Sequence, residues 1–225
     1  MQATTRLGAG LPSLRHAREL VVVRGAIDAA STGSNFRVVH HSVQSNHLHL
    51  IVEARDRTAL SIGMRALLVR IARALNRLWG RAGSVFADRF HERALRTPSE
   101  VRNSLVYVLQ NARKHGISAS GPDAYSSGPW FDGWREVPGL REALERQRAR
   151  IEARFAEVWG VLTRAQSRAR RDASGLKASE PTTWLLRVGW RRRGLLGPEE
   201  RPRAAHLPEA GRIARICSRA PESGS

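Results

Sequence analysis

A chain of 225 residues with 41% hydrophobic and 26% charged residues has enough apolar mass for a packed core, which excludes wholesale disorder. Its one cysteine, Cys217, excludes a disulfide framework and a zinc site built from several thiolates. Thirty-eight basic residues stand against 20 acids, a net charge of +18, and only Lys114 and Lys177 are lysines. A GC-rich coding sequence explains the preference for arginine over lysine but not the excess over acids. Arginine forks fit phosphate oxygens and stack on bases, so nucleic acid leads the partner classes.

In chain order, residues 2–7 read as a short strand. Leu11-Pro12-Ser13 punctuates, with Ser13 the expected N-cap of a helix over 14–30. Residues 31–35 read as a turn. Phe36–Val43 and His47–Ala54 read as two strands joined by Gln44-Ser45-Asn46. Thr58 is the expected cap of a long helix to about Trp79, whose Leu60, Met64, Leu67, Leu68, Ile71, Leu75 and Leu78 recur at the spacing of one buried face. Arg65, Arg70, Arg73 and Arg77 lie off that face. Residues 85–96 read as extended, with Phe86 and Phe90. Thr97, Pro98 and Glu100 form a capping-box signature opening a helix to about His115, which Gly116 stops.

The order strand, helix, strand, strand, helix, strand, helix predicts an α+β fold: a ferredoxin-like antiparallel sheet with helices packed on one face. The expected organisation is a domain over 1–117, a Gly/Pro/Ser-rich linker over 118–139, and a basic, mostly helical extension over 140–225. A helix over about 140–170, the segment Thr182 to Trp190, the triplet Arg191-Arg192-Arg193 and a frayed Pro- and Ala-rich end after 198 make up that extension. Apolar runs are too short to span a bilayer and no secretory signal is visible, so the expected compartment is the cytoplasm, at the nucleoid.

Two motifs carry chemistry. In His47-Leu48-His49 the alternation of a strand puts both imidazoles on one face, about 7 Å apart, where they can grip one divalent ion. The plain alternative is a pair of histidines on a half-exposed strand. His40 and His41 on the paired strand add to the density, and one of them faces the same side. On the helix opened by Pro98, Tyr107 falls off the apolar stripe of Val101, Leu105, Val108 and Ala112, flanked by Asn103 and Asn111. It is either a core-edge tyrosine with its hydroxyl in water or a nucleophile. A phenol with a pKa near 10 needs a nearby cation to attack at neutral pH.

Taken together, Ser45-Asn46-His47-Leu48-His49-Leu50-Ile51-Val52 and Tyr107-Val108-Leu109-Gln110-Asn111-Ala112-Arg113-Lys114-His115-Gly116 resemble the single-tyrosine HUH transposases, most closely their REP-associated tyrosine transposase branch. Phe86-Ala87-Asp88-Arg89-Phe90-His91 resembles the aromatic and basic strand between those motifs. The resemblance covers about 80 residues. It implies the HUH transposase fold and cutting of single-stranded or hairpin DNA through a 5′-phosphotyrosine. It implies Tyr107 as nucleophile, and His47, His49 and Asn111 as ligands of Mg²⁺ or Mn²⁺. No phosphate-binding loop is present, so no nucleotide cofactor is expected.

Arg70, Arg73, Arg77, Arg89, Arg113 and Lys114 are the candidate DNA contacts, within a stretch over 55–115 holding 13 basic and 4 acidic residues. The three arginines of the long helix are either DNA contacts or a solvated face. The expected oligomeric state is a monomer or homodimer. Two other functions are weighed: a catalytically idle DNA-binding protein of the same fold, and an unrelated RNA-binding protein or ribonuclease. Sheet-based RNA recognition needs aromatics on the exposed strands. His47–Ala54 has none and Phe36–Val43 has one.

Overall fold

The computed structural model describes residues 1–30, 35–114, 121–164 and 179–202. Most of the expected turn over 31–35, the Gly116 stop, Cys217 and the end of the chain from 203 onward lie outside the described residues. In chain order the elements are β1 (Gln2–Arg6), α1 (Ala17–Ala30), β2 (Phe36–Val43), β3 (His47–Ala54), α2 (Arg57–Leu78), β4 (His91–Arg93), α3 (Pro98–Leu109), α4 (Asn111–Lys114), α5 (Leu140–Arg164) and α6 (Trp184–Arg187). Short 3-10 turns occupy Gly128–Trp130 and Gly189–Arg193. The strands form one antiparallel sheet in the order β2-β3-β1-β4. No helix among the described residues is long and apolar enough to cross a membrane.

Alternation along β3 divides the molecule. Leu48, Leu50 and Val52 enter a core completed by Val23 and Ile27 of α1 and by Leu60, Met64, Leu67, Ile71 and Leu75 of α2. Ile51 enters a second core with Val101, Leu105, Val106 and Val108 of α3. Helices therefore cover both faces of the sheet, not one as the element order led us to expect. The reason lies in α3 itself. Val106, Tyr107 and Leu109 are buried along with the apolar stripe, because residues 184–196 pack on the helix from outside. Ser104 Oγ donates to Gln2 Oε1 of β1 (3.0 Å), tying α3 to the sheet.

A bulge in β2 settles which of its histidines faces which core. Val38 pairs with Val52 and His40 with Ile51, so Val39 is the extra residue. The shift puts His40 on the α3 face, its ring against Phe131 at 5.3 Å. His41 turns to the α1 face.

Local chemistry corrects several boundaries. The N-cap of α2 is Asp56, whose carboxylate accepts from the Ala59 amide (2.8 Å), not Thr58. The capping box of Thr97 and Glu100 is present. The strand expected over 85–96 shrinks to three residues. Leu7 bridges Phe86 while Thr4 pairs with His91, so the chain between them carries two residues too many for the ladder and loops out. The helix expected to reach His115 breaks at Gln110 (φ −114°, ψ 16°), whose Nε2 instead donates to the Pro198 carbonyl (2.8 Å).

Residues 121–139 are packed structure and not the linker expected there. Val43 N donates to Tyr125 O (2.8 Å) and Ser127 N to His41 O (2.9 Å), extending the sheet past β2. Arg15 grips both Asp123 oxygens at 2.9 Å. Arg24, buried in α1, donates through Nη2 to the Ser126 carbonyl, and burial lowers its pKa to about 10. Phe131 and Trp134 complete the second core. The long α5 lies on α1 through Phe155 and Val158 against Val21.

α2 comes so close to β2 that a Cβ on Gly63 would lie 2.2 Å from the Phe36 ring. We expect Gly63→Ala to cost about 1–3 kcal/mol by overpacking. Thermal denaturation should show the melting point lowered by roughly 2–4 °C for each kcal/mol. An unchanged melting point would show that this approach is not tight.

Candidate active site

The face of β3 opposite Leu48 carries His47, His49, Ile51 and Glu53. His47 and His49 meet edge to face with ring centroids 4.6 Å apart. Each ring is held at Nδ1. His47 Nδ1 shares a hydrogen bond with Asn46 Oδ1 (2.8 Å). His49 Nδ1 shares a hydrogen bond with Thr4 Oγ1 (3.0 Å), its cross-strand partner in β1. Neighbours that fix a ring in this way orient it for its task. A divalent ion bound through Nε2 would leave both contacts intact.

Tyr107 hangs from α3 over this pair. Its ring lies edge to face on His49 at 5.0 Å, and it is 8% exposed. Burial raises the phenol pKa, and the adjacent Asn111 amide draws it back in part. Asn111 is fully buried, and neither its oxygen nor its nitrogen reaches a partner at full hydrogen-bond geometry. Two imidazoles and a buried amide beside a phenol are a donor set that suits a hard or borderline divalent cation. Thus His47, His49, Tyr107 and Asn111 form one cluster, although α3 and α4 are separate helices and the regular one-turn stacking of Tyr107 on Asn111 is broken at Gln110.

No family model matches this chain, and no curated protein does. Among solved structures it is similar to a REP-associated tyrosine transposase bound to a REP hairpin, with a TM-score of 0.43 and 22% identity over 53% of this chain and 69% of that one. An overlap of that extent assigns neither fold nor chemistry, which rest on the residues themselves.

The candidate DNA contacts are scattered. Arg70, Arg73 and Arg77 are exposed on α2, across the sheet from Tyr107. Arg89 is exposed in the loop before β4. Arg113 is not a surface arginine: it pairs with Glu199 at 2.6 Å and donates to the Gly121 carbonyl at 3.1 Å, which fastens two later segments to α4. The Lys114 side chain lies outside the described residues. His40 faces the site side but is half-buried, shares a hydrogen bond with Ser127, and has its pKa lowered by desolvation to about 4. It is a neutral packing residue.

Three participants were not legible as such. Thr4 is placed by the pairing of β1 with β3. His91 joins its row, since Thr4 pairs with both His49 and His91 and cross-strand partners share a face. Glu53 closes the far end. Its Oε2 accepts from Thr182 N and Oγ1 (both 2.8 Å), and its Oε1 from Thr183 N (2.8 Å) and Oγ1 (2.6 Å). No local signal in the sequence joins residues so far apart.

Burial would raise the Glu53 pKa, but the hydrogen bonds from Thr183 and Thr182 outweigh it and hold the carboxyl below its usual range. A depressed carboxyl pKa stabilises the fold above the ordinary carboxylate range, and that stability is lost as pH falls through the native pKa. Glu53→Gln should therefore cost roughly 1–3 kcal/mol at neutral pH. Melting curves taken from about pH 7 to about pH 3 should show the two proteins converging at the acid end. A constant gap would rule out the carboxylate as the latch.

Proposed function

We propose that this protein cuts and rejoins single-stranded or hairpin DNA, with Tyr107 as the nucleophile and a divalent ion, Mg²⁺ or Mn²⁺, held by His47, His49 and Asn111. The observation that carries the reading is the single cluster formed by motifs 60 residues apart in sequence: the two histidine rings at 4.6 Å, and Tyr107 on His49 at 5.0 Å. The motif resemblance to HUH transposases supports it. So do the element order β1-α1-β2-β3-α2-β4 and the strand order β2-β3-β1-β4, which suit the ferredoxin-like plan.

In this mechanism the ion, when bound, polarises the scissile phosphate and steadies its developing charge. Tyr107 supplies the attacking oxygen. Its O–P bond forms as the P–O3′ bond breaks. The phenolic proton is lost and the departing 3′ oxygen gains one, leaving a free 3′ hydroxyl and a 5′-phosphotyrosine. The stored bond allows rejoining by reversal. Burial keeps Tyr107 protonated in the resting site, so attack requires the proton to leave as the phosphate binds. Thr4 and Asn46 keep the two imidazoles oriented.

The same burial favours one second reading, an idle DNA-binding protein of this fold. Covalent capture separates the two. The chain is incubated with labelled hairpin oligonucleotides and Mg²⁺ or Mn²⁺, then resolved on denaturing gels. The unmodified protein should yield a protein–DNA adduct, and Tyr107→Phe should yield none while binding and melting as before. Tyr125→Phe, a tyrosine stacked under Arg15 on the far side of β2, should cut normally. His49→Ala should abolish cutting, and Asn111→Ala should reduce it by about 10- to 100-fold. An adduct that survives Tyr107→Phe would sink the mechanism. No adduct from the unmodified protein would select the idle reading.

A further inference from the structure

The segment from Trp184 to Arg193 has two sides of opposite character. Inward, Leu186 and Trp190 are buried against the outer side of α3. Outward, Trp184, Arg187, Val188, Arg192 and Arg193 are exposed, and Arg191 is half-buried. Trp184 is 50% exposed, the one exposed tryptophan, phenylalanine or tyrosine among the described residues, and Val188 beside it is 51% exposed. A Cβ on Gly189 would lie 2.6 Å from the Trp184 ring, so the ring rests on bare backbone. The Arg192 guanidinium sits over it, 4.9 Å from the ring centroid. Arg191 pairs with Asp132, whereas Arg187, Arg192 and Arg193 have no acid partner among the described residues.

A half-exposed indole beside arginines with no acid partner among the described residues is the composition that holds single-stranded nucleic acid: a base stacks on the ring in place of the Arg192 guanidinium, and the guanidinium groups take the phosphates. This segment also lies on the site side of the sheet. Thr183, immediately before Trp184, is bonded to Glu53, which stands on the same face of β3 as His49, about 13 Å along the strand. The exposed arginines of α2, by contrast, lie on the far side.

We propose that Trp184, with Arg187, Arg192 and Arg193, is a docking platform for single-stranded DNA that leads the strand to the Tyr107 site. This rests on the reading of that site as a DNA-cutting centre, but its test does not. Fluorescence anisotropy with a labelled oligothymidine, in chelator and without divalent ions, reports binding alone. Trp184→Ala should weaken binding by about 5- to 150-fold, and Trp184→Phe should recover most of it. An oligomer of abasic sugar-phosphate should bind the unmodified protein and Trp184→Ala alike. Replacing Arg187, Arg192 and Arg193 by Gln should flatten the slope of log affinity against log salt by about 2.

The platform is overturned if Trp184→Ala and the triple variant both bind oligothymidine like the unmodified protein. It is overturned equally if blunt duplex DNA, which offers no unstacked base, shows the same dependence on Trp184. Tighter Trp184-dependent binding of the matching ribo-oligomer than of the deoxy-oligomer would assign the surface to RNA and overturn the DNA proposal. Trp184-dependent binding without any covalent adduct would leave the platform standing and remove the Tyr107 mechanism. An adduct with unchanged binding by both variants would do the reverse.

Discussion

Strand β3 is buried on both faces, and the rest of the molecule is arranged around that constraint. A strand with water on one side needs only one apolar row. Here Leu48, Leu50 and Val52 fill one core, while Ile51 anchors a second one, and the polar residues that share its row must each be given a partner or a task. Thr4 and Asn46 take the two histidines at Nδ1, and Thr182 with Thr183 take Glu53. A one-residue slip in the pairing would drive both imidazoles and the carboxylate into the aliphatic core under α1 and α2, so the register is held by the cost of burying polar groups without partners.

Legibility followed the range of the interactions. The stripe of α2 is repeated five times on one helix and packs against one surface, so periodicity alone reveals it. The capping box of Thr97 and Glu100 is complete within four residues. The alternation in His47-Leu48-His49 likewise needs no knowledge of distant chain. α3 defeated the same reasoning because it is covered twice. An apolar stripe on one side suggests a free opposite side, yet Trp190 and Leu196 reach it from far down the chain. The parity of His40 and His41 hinged on the bulge at Val39, and no residue type announces a bulge there. Asp123, Ser126 and Ser127 look like turn residues and are that, but they also meet β2 and Arg15, which converts a turn-rich stretch into part of the sheet.

The arginines show how little net charge says about where a partner binds. Arg24 lies inside, donating to backbone carbonyls, and Arg15 is committed to Asp123. Arg102 grips both oxygens of Glu200 at 2.7 and 2.8 Å and also donates to the carbonyls of Gly194 and Leu195. Guanidinium groups suit such work because five donors in a plane can satisfy several carbonyls at once. Part of the positive charge is therefore structural mortar, and composition counts it together with the exposed residues.

The bond between Glu53 and Thr183 joins positions 130 residues apart. Closing so long a loop is slow because its entropy cost comes before any reward. On the ribosome, at roughly 5–20 residues per second, Glu53 waits about 7–26 s after its own synthesis for its partners to be made. The β2–β3 hairpin, α1 and α2 are all available by then. The aliphatic core and α3, which covers the histidines, are thus available first, and the segment that takes Glu53 and packs on the outer side of α3 arrives last. During that interval Glu53 faces water on a half-built sheet, where its charge, unlike an apolar side chain, keeps nascent chains from sticking to one another.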